Sequence, residues 1–193
     1  MKLTRSDLMS LENYASQRNQ FRAEVMAHKK NRQIQLGENA RLLFEDRLTV
    51  QYQIQEMLRV ERIFEAAGIA EELDAYNPLI PDGDNWKATL MLEYPDVSER
   101  RVKLAGLLDI ENRVWAQVEG FDRVYAIADE DLDRATDEKT SSVHFLRFQF
   151  SGDMVASAKS GARLSLGIDH PNYNTCLNPL PDNYRQALIA DFA

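Results

Sequence analysis

The chain has 193 residues, 44% of them hydrophobic and 28% charged, with one cysteine and a formal net charge of −8. A chain of this length can bury roughly 70% of the surface its unfolded form exposes, so it needs no disulfide or structural metal. With Cys176 alone, an internal disulfide, a zinc ribbon and a cysteine-ligated iron–sulfur cluster within one chain are all excluded.

Residues 1–67 carry 11 basic and 9 acidic side chains, and the remainder carries 12 basic and 22 acidic. An acidic body of this kind argues against generic nucleic-acid binding, because phosphate affinity follows cation count. The amino-terminal MKLTRSDLMSLEN lacks the unbroken apolar core of a signal peptide, and no later run approaches membrane-spanning length. A cytoplasmic protein with no membrane contact is expected.

In chain order, Ser10 is placed to cap a helix over Leu11–Lys30, which Gly37 interrupts. After a short stretch at residues 41–47, Thr49 is a cap for a second helix, Val50–Ala67, ending at Gly68. A shorter helical turn covers Ala70–Tyr76, and the prolines and glycine of residues 77–83 make a loop. Beyond it the period turns from helical to alternating. Ala88, Leu90, Leu92 and Tyr94 share one strand face that Pro95 stops, and Asp96 with Glu99 forms a capping box for a helix through Leu108.

Val114, Ala116 and Val118 alternate, and a turn near Gly120 leads to Val124–Ala128, which predicts a hairpin. Residues 129–142 are acidic and read as loop or irregular helix. Strands follow at Val143–Phe150 and Ala162–Ile168, with a short helix near Asp153–Lys159 between them and a closing helix at Pro181–Phe192. The expectation is an α+β fold, with N-terminal long helices packed on a mainly antiparallel sheet of about five strands and short helices. It forms a single compact unit over 1–193, with a helical half at 1–77 and a sheet-containing half at 85–193.

The two long helices carry charge where apolar residues belong. Leu11, Tyr14, Ala15, Phe21, Val25 and Met26 form a stripe that also contains Arg18, Arg22 and Lys29. On the second helix Val50, Ile54, Met57, Leu58, Val60 and Phe64 form a stripe with Glu61 near its centre, Gln53 inside its edge and Glu56 just beyond. Charges facing a core are costly unless paired. Three arrangements answer this: an internal ion-pair network with Arg18 or Arg22 meeting Glu56 or Glu61, an arginine-lined pocket for a carboxylate or phosphate, and a carboxylate metal site on Glu56 and Glu61. The ion-pair network is the simplest of the three.

His144 shares a strand face with Leu146, Phe148 and Phe150 and reads as a hydrogen-bonded core histidine. His170, in Gly167-Ile-Asp-His-Pro-Asn-Tyr173, follows a strand, where a base, a ligand or a loop anchor would sit. His28 belongs to a lysine-rich helix end, where a cation complements the dipole. There is no glycine-rich dinucleotide fingerprint, phosphate loop, His-Glu-x-x-His or nucleophile elbow, and Glu24 and His28 stand at the wrong spacing for a di-iron bundle.

The blocks Tyr14-x-x-x-Arg18-x-x-Phe21-Arg22, Leu43-Phe-Glu-Asp46, Tyr52-Gln-Ile-Gln-Glu-Met-Leu-Arg59-Val-Glu61 and Ala75-Tyr-Asn-Pro-Leu-Ile-Pro81 resemble an uncharacterised bacterial family. So do Ala88-Thr-Leu-Met-Leu-Glu93, Val143-His-Phe-Leu-Arg147 and Gly167-Ile-Asp-His170. It is the domain-of-unknown-function family thirty-five-zero-one, and the likeness runs over nearly the whole chain. The resemblance carries no established activity, cofactor or catalytic residue. Its genes neighbour those of rubrerythrin-like and heterodisulfide-reductase-type iron–sulfur proteins, which implies an accessory role in redox or peroxide metabolism and redox protein partners.

The leading expectation is an accessory or binding protein whose interhelical site, Arg18, Arg22, Gln53, Glu56, Arg59 and Glu61, takes an anionic small molecule or a partner. The alternatives are a metal-dependent or acid–base enzyme using Glu56, Glu61, His144 or His170, and a structural subunit of a redox complex. Cofactor identity and homo-oligomerisation are left open.

Overall fold

The computed structural model describes residues 2–132, 134, 136 and 138–193. Helix α1 (Leu11–Lys29) starts where Ser10 accepts a hydrogen bond from the Asn13 amide, as its sequence requires. Strands β1 (Gln33–Leu36) and β2 (Ala40–Phe44) follow, then helices α2 (Arg47–Val60) and α3 (Ala66–Tyr76). The remaining elements are β3 (Asn85–Leu92), α4 (Val97–Ala105), β4 (Val114–Val118), β5 (Val124–Tyr125), β6 (Ile127–Ala128), β7 (Val143–Gln149), α5 (Gly152–Lys159), β8 (Leu164–His170), β9 (Tyr173–Leu177) and α6 (Asp182–Ile189).

The class is α+β, and the strands form two antiparallel sheets, ordered β1-β2-β3-β7-β6 and β5-β4-β8-β9. Alternation decides which faces meet. Ile34, Leu36, Ala40, Leu42, Phe44, Trp86, Ala88, Leu90 and Phe148 from the larger sheet join Val114, Ala116, Val118, Leu164, Leu166 and Ile168 from the smaller one in a single apolar core. Leu188 and Phe192 close one end, with Phe192 stacked on Trp86. Two smaller clusters hold the helices, one of Leu3, Val50, Ile54, Leu58, Ile69 and Leu73, the other of Tyr14, Phe21 and Val25.

Four readings of the sequence are corrected. Residues 33–44, read as a break between helices, form the β1–β2 hairpin, since Ile34/Leu36 and Ala40/Leu42/Phe44 keep a period of two. Gly37 turns it at φ +70°, and the Tyr173 hydroxyl fixes the turn by donating to the Leu36 carbonyl (2.7 Å) and accepting from the Asn39 and Ala40 amides (both 2.9 Å). The second helix is capped by Asp46, not Thr49: the Asp46 carboxylate takes the Thr49 amide (2.9 Å), and the Thr49 hydroxyl takes the Asp46 amide (2.8 Å).

That helix also does not run to Gly68. It ends at Val60, Arg62 takes φ +56°, and the Ile63 amide donates to the Leu58 carbonyl in a Schellman closure. Gly68 lies inside α3 instead. The fourth correction is the second sheet, whose strand β9 was not legible as a strand.

A glycine is required at one strand position. Gly167 of β8 lies under Trp115, and a Cβ there would meet the indole ring at 2.4 Å and the Thr175 carbonyl at 2.8 Å.

Candidate functional site

Of the six interhelical candidates, two meet in a tight pair. Arg18 donates from Nε and Nη2 to the two oxygens of Glu56, at 2.7 and 2.9 Å, and the Tyr14 hydroxyl adds a third bond at 2.5 Å. Arg59 reaches the same carboxylate at 3.2 Å from one turn further along α2. The Arg18 fork, helped by Tyr14 and Arg59, outweighs burial and holds the Glu56 carboxyl down at about 2. Arg18 thus already grips a carboxylate, in the bidentate geometry that an incoming anion would need.

Arg22 and Glu61 were expected to face inward, and both are exposed. Burial on α1 is confined to Tyr14, Phe21 and Val25, which leaves Arg22 on the solvent side. Glu61 sits past the end of α2 because the helix breaks there. Gln53 is half-buried beside Tyr76. None of the six lines either of the two large clefts.

The histidines named from sequence lie on different elements. His144 is fully buried: Nδ1 contacts Asp129 (2.6 Å), and Nε2 contacts the Thr140 hydroxyl (2.8 Å) and the Ser141 carbonyl (3.1 Å). Thr140 in turn donates to Glu111 at 3.0 Å. This ring fastens the chain before β7 onto the sheet. His170 donates from Nε2 to the Leu108 carbonyl (2.9 Å) and accepts the Asn172 amide at Nδ1 (3.1 Å), which anchors a loop. Among the described residues, no group of three His, Cys, Asp or Glu side chains is placed to hold a metal ion.

The structure adds a cleft of about 650 Å³ between the outer face of the larger sheet and the segment that follows α3. Its floor comes from β3 and β7, whose register sets Lys87 opposite Arg147 and Thr89 opposite Phe145. Tyr76, Pro78, Leu79 and Phe145 supply apolar wall. Like charges directly opposed across a strand pair repel, so the Lys87–Arg147 pair costs stability unless anions intervene.

Here they come from the rim. Lys87 donates to Asp82 (2.8 Å) and the Ile80 carbonyl (3.0 Å). Arg147 holds Glu130 bidentately at 2.8 and 2.7 Å and donates from Nη1 to Gln149 at 2.8 Å. The cations are the less exposed partners: Lys87 and Arg147 are 14% and 25% exposed, against 53% and 50% for Asp82 and Glu130. Hydrogen bonding to Arg147 lowers the Glu130 carboxyl, so it is ionised at neutral pH. Two cations thus lie on a sheet floor beneath half-exposed carboxylates and beside an apolar wall, with Glu45 and Asp131 also lining the cleft.

Sequence reasoning left Lys87 unremarked and placed Arg147 only in a resembling block. Strand alternation puts Lys87, Thr89, Phe145 and Arg147 on the face opposite the core. Their adjacency depends on the β3–β7 register, which no local pattern encodes.

No helix is long and apolar enough to cross a membrane, among the described residues. A search among curated proteins finds no match. A crystal structure from Burkholderia pseudomallei K96243, described as a novel protein of unknown function, is similar over 100% of this chain and 100% of that one, with 51% identity and a TM-score of 0.93. The family model "Protein of unknown function (DUF3501)" matches residues 2–192. The chain therefore belongs to the DUF3501 family.

Proposed function

We propose that the protein is a binding protein for a small organic anion, held in the cleft between α3 and the larger sheet. One observation carries this reading: the like-charged cross-strand pair Lys87 and Arg147, more buried than the carboxylates that neutralise it. An incoming carboxylate would displace Glu130 from the Arg147 fork and take a proton donor of Lys87. The bidentate geometry that arginine offers is complementary to a planar carboxylate. The body of the ligand would lie against Phe145, Tyr76, Pro78 and Leu79, which favours a flat or short apolar group over a fully hydrated one.

The interhelical pair contributes rigidity in this reading. Arg18 and Glu56 lock α1 to α2, and α3 with its following turn forms the far wall of the cleft.

A thermal-shift series tests the proposal, using benzoate, butyrate and inorganic phosphate as probes at constant ionic strength. Benzoate should raise the melting temperature most and phosphate least. At 100 times its dissociation constant a ligand stabilises by about 2.7 kcal/mol, which for a chain of this size is a shift on the order of 5–10 °C. Arg147→Gln and Lys87→Met should each remove most of the benzoate shift. A flat response to all three anions at high millimolar concentration would rule the reading out.

A further inference from the structure

A second cleft, of about 670 Å³, opens where the end of α1, the start of α2 and α6 converge. Its chemistry is unlike that of the anion cleft. Arg32, one helical turn beyond His28, lies behind it at 2% exposure. Its guanidinium donates to the carbonyls of Phe44 (3.1 Å), Ala187 (3.0 Å) and Glu45 (3.0 Å) and to Asp191 (2.5 Å), and approaches Asp46 to 3.5 Å. With its donors engaged, Arg32 serves to hold two carboxylates in place.

Asp46 spends one oxygen on the Thr49 amide and turns the other to His28 Nε2, at 2.5 Å. Burial pushes the Asp46 carboxyl up, but Arg32, the Thr49 amide and His28 together outweigh it and hold the group below the usual carboxylate range. Among the described residues nothing hydrogen-bonds to His28 Nδ1. That sets His28 apart, since His144 and His170 use both ring nitrogens. The charged groups around it are Asp46 and Arg47 from the start of α2, Arg32 from the turn after α1, and Asp191 from beyond α6; Asn31, Asn183 and Gln186 give the cleft a hydrogen-bonding wall.

We propose that this cleft is an acid–base site for a small polar molecule, with His28 accepting a proton at Nδ1 and Asp46 as its positioning residue. In the neutral ring, Nε2–H is given to Asp46, so the remaining lone pair is on Nδ1 of a ring that lines the cleft. A substrate O–H or N–H transfers its proton to Nδ1, and the electron pair stays on the substrate oxygen or nitrogen. The imidazolium that results lies against the Asp46 carboxylate, which stabilises it without taking its proton. The site is independent of the anion cleft, and shares no lining residue with it.

The activated ester 4-nitrophenyl acetate is the probe. His28 takes a proton from the attacking water, the water oxygen bonds to the acyl carbon, and the ester C–O bond breaks as 4-nitrophenolate leaves with its electron pair. His28→Gln should lower the protein-catalysed rate at least tenfold. Asp46→Asn keeps an acceptor for the Thr49 amide, so α2 stays capped. It should nevertheless lower kcat while leaving KM nearly unchanged, because the imidazolium formed as the proton transfers loses its counter-charge. Diethyl pyrocarbonate should modify one histidine rapidly in the wild type and none rapidly in His28→Gln. A His28→Gln rate within twofold of wild type, an Asp46→Asn kcat equal to that of the wild type, or rapid modification elsewhere would each overturn the proposal.

Discussion

Replacing Arg32 with methionine isolates a buried group on which several elements converge. The guanidinium ties the end of β2 (Phe44 and Glu45) to α6 (Ala187) and to Asp191 beyond it. Methionine fills similar volume but leaves three carbonyls without that donor and the Asp191 carboxylate without its cation. Breaking a buried pair on one side costs about 3–5 kcal/mol. For a chain of this length that lowers the melting temperature by on the order of 10 °C.

The pH dependence makes the test specific. Burial raises the Asp191 carboxyl from an ordinary 3.8 to about 6 even with Arg32 beside it. The folded state therefore binds this proton more tightly than the unfolded state, and the wild type loses stability from this group as pH rises from about 4 to about 6. Without Arg32 the carboxyl rises further. At pH 5 it is then protonated in the folded mutant and leaves no buried charge, whereas at pH 8 folding must either bury the charge or take up a proton. Urea unfolding at the two pH values should show a clearly smaller loss at pH 5. A loss below about 1 kcal/mol, or one equal at both pH values, would refute the reasoning.

Three further outcomes are expected. Glu56→Gln should cost only about 1 kcal/mol in urea unfolding, because the pair is part-exposed and screened; its wild-type contribution is present above pH 4.5 and is lost as pH falls toward about 2. Gly167→Ala should lower stability by about 1–3 kcal/mol by calorimetry, since the added carbon meets both the Trp115 ring and the Thr175 backbone and neither can yield freely. Tyr173→Phe should cost about 1–2 kcal/mol and speed amide exchange at Asn39 and Ala40, the two groups that donate to its hydroxyl.

What the sequence made legible was mostly local. Ser10 and Asp96 named their helix starts, and the alternation at Ala88–Tyr94 and Val143–Phe150 named two strands and their buried faces. The charges on the helical stripes pointed correctly to an interhelical pair, and Arg18 with Glu56 forms it. The same stripe argument failed for Glu61, because it assumed a helix that continued past Val60. The break rests on Arg62 entering the left-handed region, and an arginine gives no local sign of that.

Both clefts were out of reach for a different reason. Lys87 meets Arg147, and Arg32 meets Asp191, only once strands and helices distant in sequence have been brought together. His28 was read as a helix-end cation, which its position on α1 supports; its carboxylate partner lies 18 residues on, beyond a hairpin that the sequence reading had not placed. Period and capping decide elements. Register and tertiary closure decide sites.

The anion cleft can be tested directly by crystallising the protein with 4-bromobenzoate and locating the bromine from its anomalous scattering. The account expects one ordered bromine against Phe145 and Tyr76, with the carboxylate on Arg147 and Lys87 and Glu130 turned away. Crystals soaked at saturating ligand that show Glu130 still seated on Arg147, with no bromine in this cleft, would contradict it.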